Sequence, residues 1–364
     1  MRSMDFPLKL LWCAGQMLKS LREQFFQCAG PGIESRLGWR STGISERLPT
    51  SESSKMSCVS RDRPMFASLT ATYYPNSEIL RRQLCAIPDG WIRLIVDDGT
   101  SDMAWRDIAR MLRAFDRVEV IRLPRNIGLA AAQNAGLRQL KKREDVGCVL
   151  LLDQDTEPRE HAVELLVSAY RELADAFPNV GAVGPALIDP ATDVHHGFHV
   201  VRRGVWKRIS PLSGPPVPCA TLNGSGTLMA LDTAISLGGM DETLFIDMVD
   251  AEWSFRMSAN GFGLYGVPGS QFLHRMGVET SRIWLFGWRV WPRRSPIRNR
   301  YVFRNSIKLM RRNYVPAVWK VWAVIKLSLS FVVALMTDPD RWKQLASMAA
   351  GVVDGLRRID GKVT

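Results

Sequence analysis

Cysteine is scarce and scattered. Cys13, Cys28, Cys58, Cys85, Cys148 and Cys219 form no CxxC pair and no Cys/His cluster at ligand spacing, which excludes a cysteine-based metal site. Reduced thiols in a cytosolic setting fit this usage. The segment Phe6–Phe26 does not read as a secretory signal, because its apolar positions are broken by polar residues and no small-residue cleavage site stands out. The third absence is of acid. Between Ser281 and Thr337 there is no Asp or Glu, against twelve Lys or Arg and five of the twelve Trp. Much of the net charge of +12 therefore sits near the C-terminus and calls for an anionic partner, either nucleic acid or a membrane surface.

What is present suits one large α/β body with appendages: 364 residues, 46% of them apolar. Residues 1–62 read as an N-terminal extension, with a short amphipathic segment at Phe6–Phe26 and a linker rich in Ser, Gly and Arg from Pro31 to Arg63. From Met65 the pattern turns regular. Strands are predicted at Phe66–Thr72, Trp91–Val96, Val118–Leu123 and from Val146. Helices are predicted at Ser77–Ala86, Asp102–Phe115, Leu129–Lys141 and Pro158–Phe177. This alternation predicts right-handed βαβ units and a mainly parallel sheet. After a strand at Val180–Ile188 the rhythm breaks, and residues 189–220 predict a loop-rich or antiparallel excursion.

The stretch VGCVLLLDQDT, Val146–Thr156, is apolar or Gly up to Asp153 and reads as a strand buried on both faces. It ends on Asp153 and Asp155. Ligands of open α/β sheets bind beyond the carboxyl ends of the strands. Two carboxylates there suit a Mg²⁺ or Mn²⁺ ion whose remaining coordination comes from substrate phosphates. A strand end leading into a helix N-cap would show similar residues. A second acidic segment, LFIDMVDAEWSFR, holds Asp247, Asp250 and Glu252 among bulky apolar residues. Helical spacing places Asp247 and Asp250 on one face. Acids in such surroundings are candidates for a general base. The alternatives are a solvated helix start, with acids favoured by the dipole, and an i,i+4 pair of Glu252 with Arg256.

Ala317–Thr337 is about as long as a membrane-spanning helix, roughly 20 residues. Lys320 and Lys326 interrupt it, at about 2.5–3.5 kcal/mol each at the centre of a span. A helix lying in the interface lets both lysines reach water, with Trp319 and Trp322 among the headgroups. Nucleic acid does not account for so apolar a helix after the charges. A plain buried helix packed on the main body is the other alternative.

Taken together, TYYPN (72–76), VDDGT (96–100), NIGLAAAQNAG (126–136), LLDQDT (151–156), NGSGTLM (223–229), FIDMVDAEWSFR (245–256) and His274 resemble the family 2 inverting glycosyltransferases. The form LDQDT with FIDxVDxEW is similar to the bacterial rhamnosyltransferase branch. RNRYVFRNSIKL and the closing GVVDGLRRIDGK also look like that branch. The resemblance implies a GT-A fold over residues 63–280, with residues 281–364 a basic, aromatic, helical region associated with membrane. It implies inverting transfer of L-rhamnose from dTDP-L-rhamnose to a hydroxyl of a lipid-linked glycan or hydroxylated lipid. The expected location is the cytoplasmic side of a bacterial inner membrane, peripheral or monotopic.

By the same resemblance, Asp97 and Asp98 read the nucleotide, and Asn126, Gly128 and Asn134 line the donor pocket. Asp153 and Asp155 match the DxD pair, Asp153 also touching the donor and Asp155 being the more direct metal ligand. His274 joins the metal and pyrophosphate, Asp250 is the deprotonating base, and Glu252 is its acidic partner. Val249 stands where many relatives carry Glu, and Val is what the rhamnosyltransferase-like branch is expected to carry there. A UDP-hexose transferase and a non-catalytic carbohydrate-binding relative are the competing readings.

Overall fold

The computed structural model describes residues 65–275, 279–284 and 288–363, so the segments expected within 1–62 lie outside the described residues. Lys55–Thr364 form one compact unit. The first half follows the predicted alternation. Strands β1 (Met65–Thr72), β2 (Ile92–Asp97), β3 (Val118–Arg122) and β4 (Val146–Asp153) are separated by helices α1 (Ser77–Cys85), α2 (Asp102–Leu112) and α3 (Leu129–Lys141). Asn76 caps α1, its side chain accepting from the amides of Glu78 and Ile79 at 3.0 and 3.1 Å.

β4 is followed by a short strand β5 (Thr156–Pro158), and only then by α4 (Ala162–Ala176). The helix predicted from Pro158 thus starts later, because Thr156–Pro158 pairs with a distant strand instead. Beyond it come β6 (Val180–Asp189), β7 (Val194–His195), β8 (Phe198–Arg202), β9 (Val205–Ile209), β10 (Val217–Pro218) and β11 (Thr227–Ala230). They are followed by α5 (Leu231–Ser236), α6 (Val249–Ala259), β12 (Gly263–His274) and a hairpin of β13 (Glu279–Trp284) with β14 (Trp288–Arg293). Three helices close the chain: α7 (Pro296–Met310), α8 (Ala317–Thr337) and α9 (Arg341–Leu356).

The main sheet has the order β10-β12-β6-β11-β4-β1-β2-β3. β4, β1, β2 and β3 are parallel, as the alternation predicts. The sheet as a whole is mixed, however, because β11 runs antiparallel between β4 and β6. No helix lies between β6 and β11, so no helical crossover forces it parallel. The apolar character of β4 follows from its place between β1 and β11, with Val149–Leu152 at 0–1% exposure. The excursion over 189–220 is antiparallel, as β8 pairs with β9.

α8 is only partly covered. Trp319, Ala323 and Leu327 are buried, the first two in the main core with Phe255 and Trp206. Val321, Ile325, Val332 and Met336 are exposed along its other side. By length and composition α8 is the one helix among the described residues able to cross a membrane.

Candidate functional site

The carboxyl ends of β1 and β4, the loop before β11 and the start of α6 surround one cavity of about 940 Å³. β4 delivers Asp153 and Asp155 to its floor. Gln83 fixes this strand end from behind: buried on α1, it donates to the carbonyls of Asp153 and Thr156, each at 2.7 Å, and accepts from Thr70 Oγ1 at 2.8 Å.

Pairing of β5 with β12 then sets His274 opposite Thr156. Thr156 Oγ1 lies 3.2 Å from His274 Nδ1, and Asp155 Oδ1 lies 3.4 Å from the same nitrogen. One ligand atom from each of Asp153, Asp155 and His274 can be chosen so that all lie within 4.8 Å of one another. Burial raises the pKa of Asp153 above the usual carboxylate range, and the like charge of Asp155 adds to it against the pull of His274 and of the Ser225 hydroxyl, which donates to Asp153. Burial alone would push the His274 imidazole down, but the Asp155 carboxylate, with Asp153 and Asp250 behind it, holds its pKa above the ordinary value. Repelling, part-buried carboxylates beside an imidazole form a donor set that a divalent cation relieves, and this chemistry fits Mg²⁺ or Mn²⁺.

Asp250 lines the same cavity from the first turn of α6. The expectation that one helix turn carries Asp247 and Asp250 is corrected here. Asp247 precedes the helix, with Phe245, Asp247 and Met248 all left-handed at φ of 65°, 64° and 63°. Such residues are strained and persist only where their surroundings hold them. α7 does the holding. Asn305 Nδ2 donates to the carbonyls of Leu244, Ile246 and Asp247 at 2.9, 2.7 and 2.9 Å. Arg304, fully buried, donates to Leu244 O at 2.8 Å, and Arg298 grips Asp247 at 2.8 and 2.9 Å. Burial pushes the Asp250 carboxyl up to about 6, with the charge of Asp153 adding to it and the Ala251 amide, at 2.8 Å, opposing.

The donor side is built on Asp98 and Gly128. Asp98 accepts from the amides of Ile127 and Gly128 at 2.7 and 2.9 Å. Gly128 has φ of +99°, and a Cβ there would sit 2.4 Å from the Phe245 ring, so glycine is required. Four buried polar atoms on cavity-lining residues lack a partner among the described residues: Thr72 Oγ1, Asn126 Oδ1, His196 Nε2 and Trp253 Nε1. Buried polar atoms are rarely left unpaired, so these mark places for ligand groups or water.

Asp98, Asn126, Gly128, Asp153, Asp155, Asp250 and His274 thus share one cavity. Asp97, Asn134 and Glu252 do not line it. Asp97 is buried behind Asp98, accepts from the Thr100 amide at 3.1 Å and faces Arg122. Asn134 ties α3 to the following segment through Met240 and Glu242. Glu252, 1% exposed, accepts from Arg256 at 2.9 Å and from Tyr314 Oη at 2.6 Å, and Arg312 lies 2.9 Å away. The Glu252–Arg256 pair is the i,i+4 contact foreseen from spacing, and it joins α6 to the chain after α7. Gln83, Ser225, Arg298, Arg304 and Asn305 carry roles that no local pattern assigns. The Arg-Asn doublets at 298–299 and 304–305 were the available signal.

Comparison with known proteins agrees with this geometry. Residues 78–204 match the family described as Glycosyl transferase family 2. The chain is 27% identical over 299 residues to the dTDP-rhamnosyl transferase RfbF of Shigella flexneri, covering 81% of this chain and 96% of that protein. It is 24% identical over 216 residues to an N-acetylglucosaminyl-diphospho-decaprenol L-rhamnosyltransferase of Mycobacterium tuberculosis, covering 52% of this chain and 68% of the relative. Among solved structures, GalNAc-T7 with UDP, GalNAc and Mn²⁺ superposes with a TM-score of 0.50 at 15% identity, over 81% of this chain and 56% of that one. At that identity the likeness concerns the fold, which is that of the GT-A glycosyltransferases.

Proposed function

We propose that this chain, a family 2 glycosyltransferase, transfers L-rhamnose from dTDP-L-rhamnose to a hydroxyl of a glycan acceptor with inversion at the anomeric carbon. The observation that carries the reaction class is the cavity lined both by the Asp153–Asp155–His274 triad and by Asp250. The choice of sugar is supported by the match along nearly the full length of a dTDP-rhamnosyl transferase.

Asp98, Asn126 and Gly128 are the proposed contacts of the nucleoside. Asp153, Asp155 and His274 would hold the cation, Mg²⁺ or Mn²⁺, which when bound supplies positive charge against the leaving diphosphate. Asp250 takes the proton of the acceptor hydroxyl while that oxygen forms its bond to the anomeric carbon. The bond from carbon to the diphosphate oxygen breaks, and its electron pair leaves with dTDP. A diphosphate is a good leaving group without protonation, so one carboxylate base is enough, unlike the paired carboxylates of glycosidases. A buried base titrating near 6 is charged at neutral pH yet still basic enough to accept the proton.

The exposed apolar side of α8, next to the basic stretch before it, supports a peripheral seat on an anionic membrane at its cytoplasmic face. The acceptor is then a lipid-linked glycan or hydroxylated lipid.

The reading is tested by titrating dTDP-L-rhamnose, UDP-glucose, UDP-GlcNAc and GDP-mannose into the full chain with Mn²⁺ and again with EDTA. The expected result is that dTDP-L-rhamnose binds at least tenfold tighter than the others and loses at least tenfold in EDTA. Preference for a UDP-sugar would assign the alternative donor, and binding indifferent to EDTA would remove the cation.

A further inference from the structure

Part of the cavity is basic. Arg208 on β9 lines it, as do Arg293, Arg294 and Arg298, with Ser295 and Pro296 at the start of α7. The acids of this region are largely taken. Asp247 is held by Arg298, Asp338 lies 3.8 Å from Arg293, and Asp340 lies 3.6 Å from Lys343. Among the described residues, no carboxylate stands within ion-pair distance of Arg294 or Arg208.

Further like charge comes from α8. Burial, together with the nearness of Arg294 and Arg208, pushes Lys326 down to about 8. Burial pushes Arg294 down as well, and the charge of Arg298 adds to this while Asp247 opposes it. Arg294, half-buried, and Arg208, exposed, thus line the cavity with no carboxylate within ion-pair distance among the described residues, and an anion arriving there meets charge that no acid already neutralises. The N-terminus of the fifteen-residue helix α7 opens into the same space and adds its positive end.

Arg298 feels Asp153 and Asp155, Arg294 feels Arg298, and Lys326 feels Arg294 and Arg208. Lys326 belongs to α8, whose other side is exposed and apolar.

Resting on the transfer reaction proposed above, we infer that Arg208, Arg294 and the N-terminus of α7 bind a phosphate or diphosphate carried by a lipid-linked acceptor, as a second anion site beside that of the donor. The acceptor is then a glycan joined to its lipid through phosphate. The uncharged hydroxylated lipid falls away.

Farnesyl phosphate is titrated into the full chain saturated with dTDP and Mn²⁺, so that the triad is already occupied. Binding is expected, and it weakens at least tenfold in Arg294→Gln and in Arg208→Gln. Arg294→Lys keeps affinity within about threefold, and the affinity for dTDP changes less than twofold in all three. Four outcomes overturn the inference: no binding of farnesyl phosphate; equal binding of farnesol; inorganic phosphate binding as tightly as farnesyl phosphate; or a tenfold loss of dTDP affinity in Arg294→Gln, which would give the arm to the donor. No sugar enters this experiment, so an error about rhamnose leaves its result standing.

Discussion

Asp250 and Glu252 are two residues apart, and the fold gives them different work. Asp250 lines the cavity, whereas Glu252 is buried between two arginines and a tyrosine. Asp250→Asn should bind dTDP-L-rhamnose normally and lose turnover by on the order of 10²-fold or more, the scale of general-base catalysis. The titration has a sign. A carboxyl raised from 3.8 to about 6 is ionised at a cost above pH 6 and at none below its unfolded value, so stability from this group falls as pH rises through 6. In the cation-free protein, Asp250→Asn should therefore be the more stable at pH 8, by up to about 3 kcal/mol, and equal to wild type near pH 3.5. Calorimetric melts at both pH values check this. The kcat/KM of the wild type should rise with pH along a limb at or below about 6, since a bound cation offsets the charge of Asp153. Glu252→Gln should do the reverse of Asp250→Asn. It leaves Arg256 and Arg312 without their shared carboxylate and should cost about 3 kcal/mol of stability, while turnover per folded molecule stays within a few-fold. Denaturant melts beside rates corrected for folded fraction would separate these, and collapse of turnover with stability intact would move the base to Glu252.

At the scale of elements, the decisive contact is that of α7 with the loop before α6. Three left-handed non-glycine residues there cost on the order of 1–3 kcal/mol each, and the side chains of Arg298, Arg304 and Asn305 hold them. Asn305→Ala removes the side-chain donor of the Ile246 and Asp247 carbonyls, while Leu244 O keeps Arg304. We expect a loss of about 2–4 kcal/mol in stability. Because Asp250 follows this loop directly, kcat should fall at least tenfold, while donor affinity, which the loop touches only where Phe245 packs on Gly128, should fall by no more than about threefold. Equal losses in donor affinity and kcat would mean that the whole cavity, and not the loop, depends on Asn305.

For the whole molecule, α7 and the buried side of α8 are part of the compact body, and the outer side of α8 is exposed. The membrane seat proposed above predicts what that exposed side does. The protein should float with liposomes containing phosphatidylglycerol and remain behind with neutral phosphatidylcholine. High salt or carbonate should release a large share if, as proposed, a helix packed on the body through Trp319 and Ala323 lies along the surface. Ile325→Asp with Val321→Asp should abolish flotation without altering donor binding. Retention through carbonate would indicate a span, and absence of flotation would remove the membrane as a partner.

How much of this was legible beforehand depends on how local the cause is. The four parallel strands were readable because apolar runs and turn residues act over a few positions, and Asp153 and Asp155 were readable because they end such a run. Gly128 and Asp250 came through family motifs, which record tertiary requirements within a short stretch. The antiparallel course of β11 was not readable, because direction follows from the connection and not from composition. Nor was the company kept by each acid: Asp250 and Glu252 share a segment, and only the packing of α6 against Tyr314 and Arg312 turns one inward. His274 reaches the triad through β5–β12 pairing across 118 residues, and Asn305 reaches its loop across about 60. Sequence thus determined which elements form and which residues can do chemistry. Tertiary structure decided which of those residues face one another, because burial and charge act through space and the chain folds back over distances that no local pattern records.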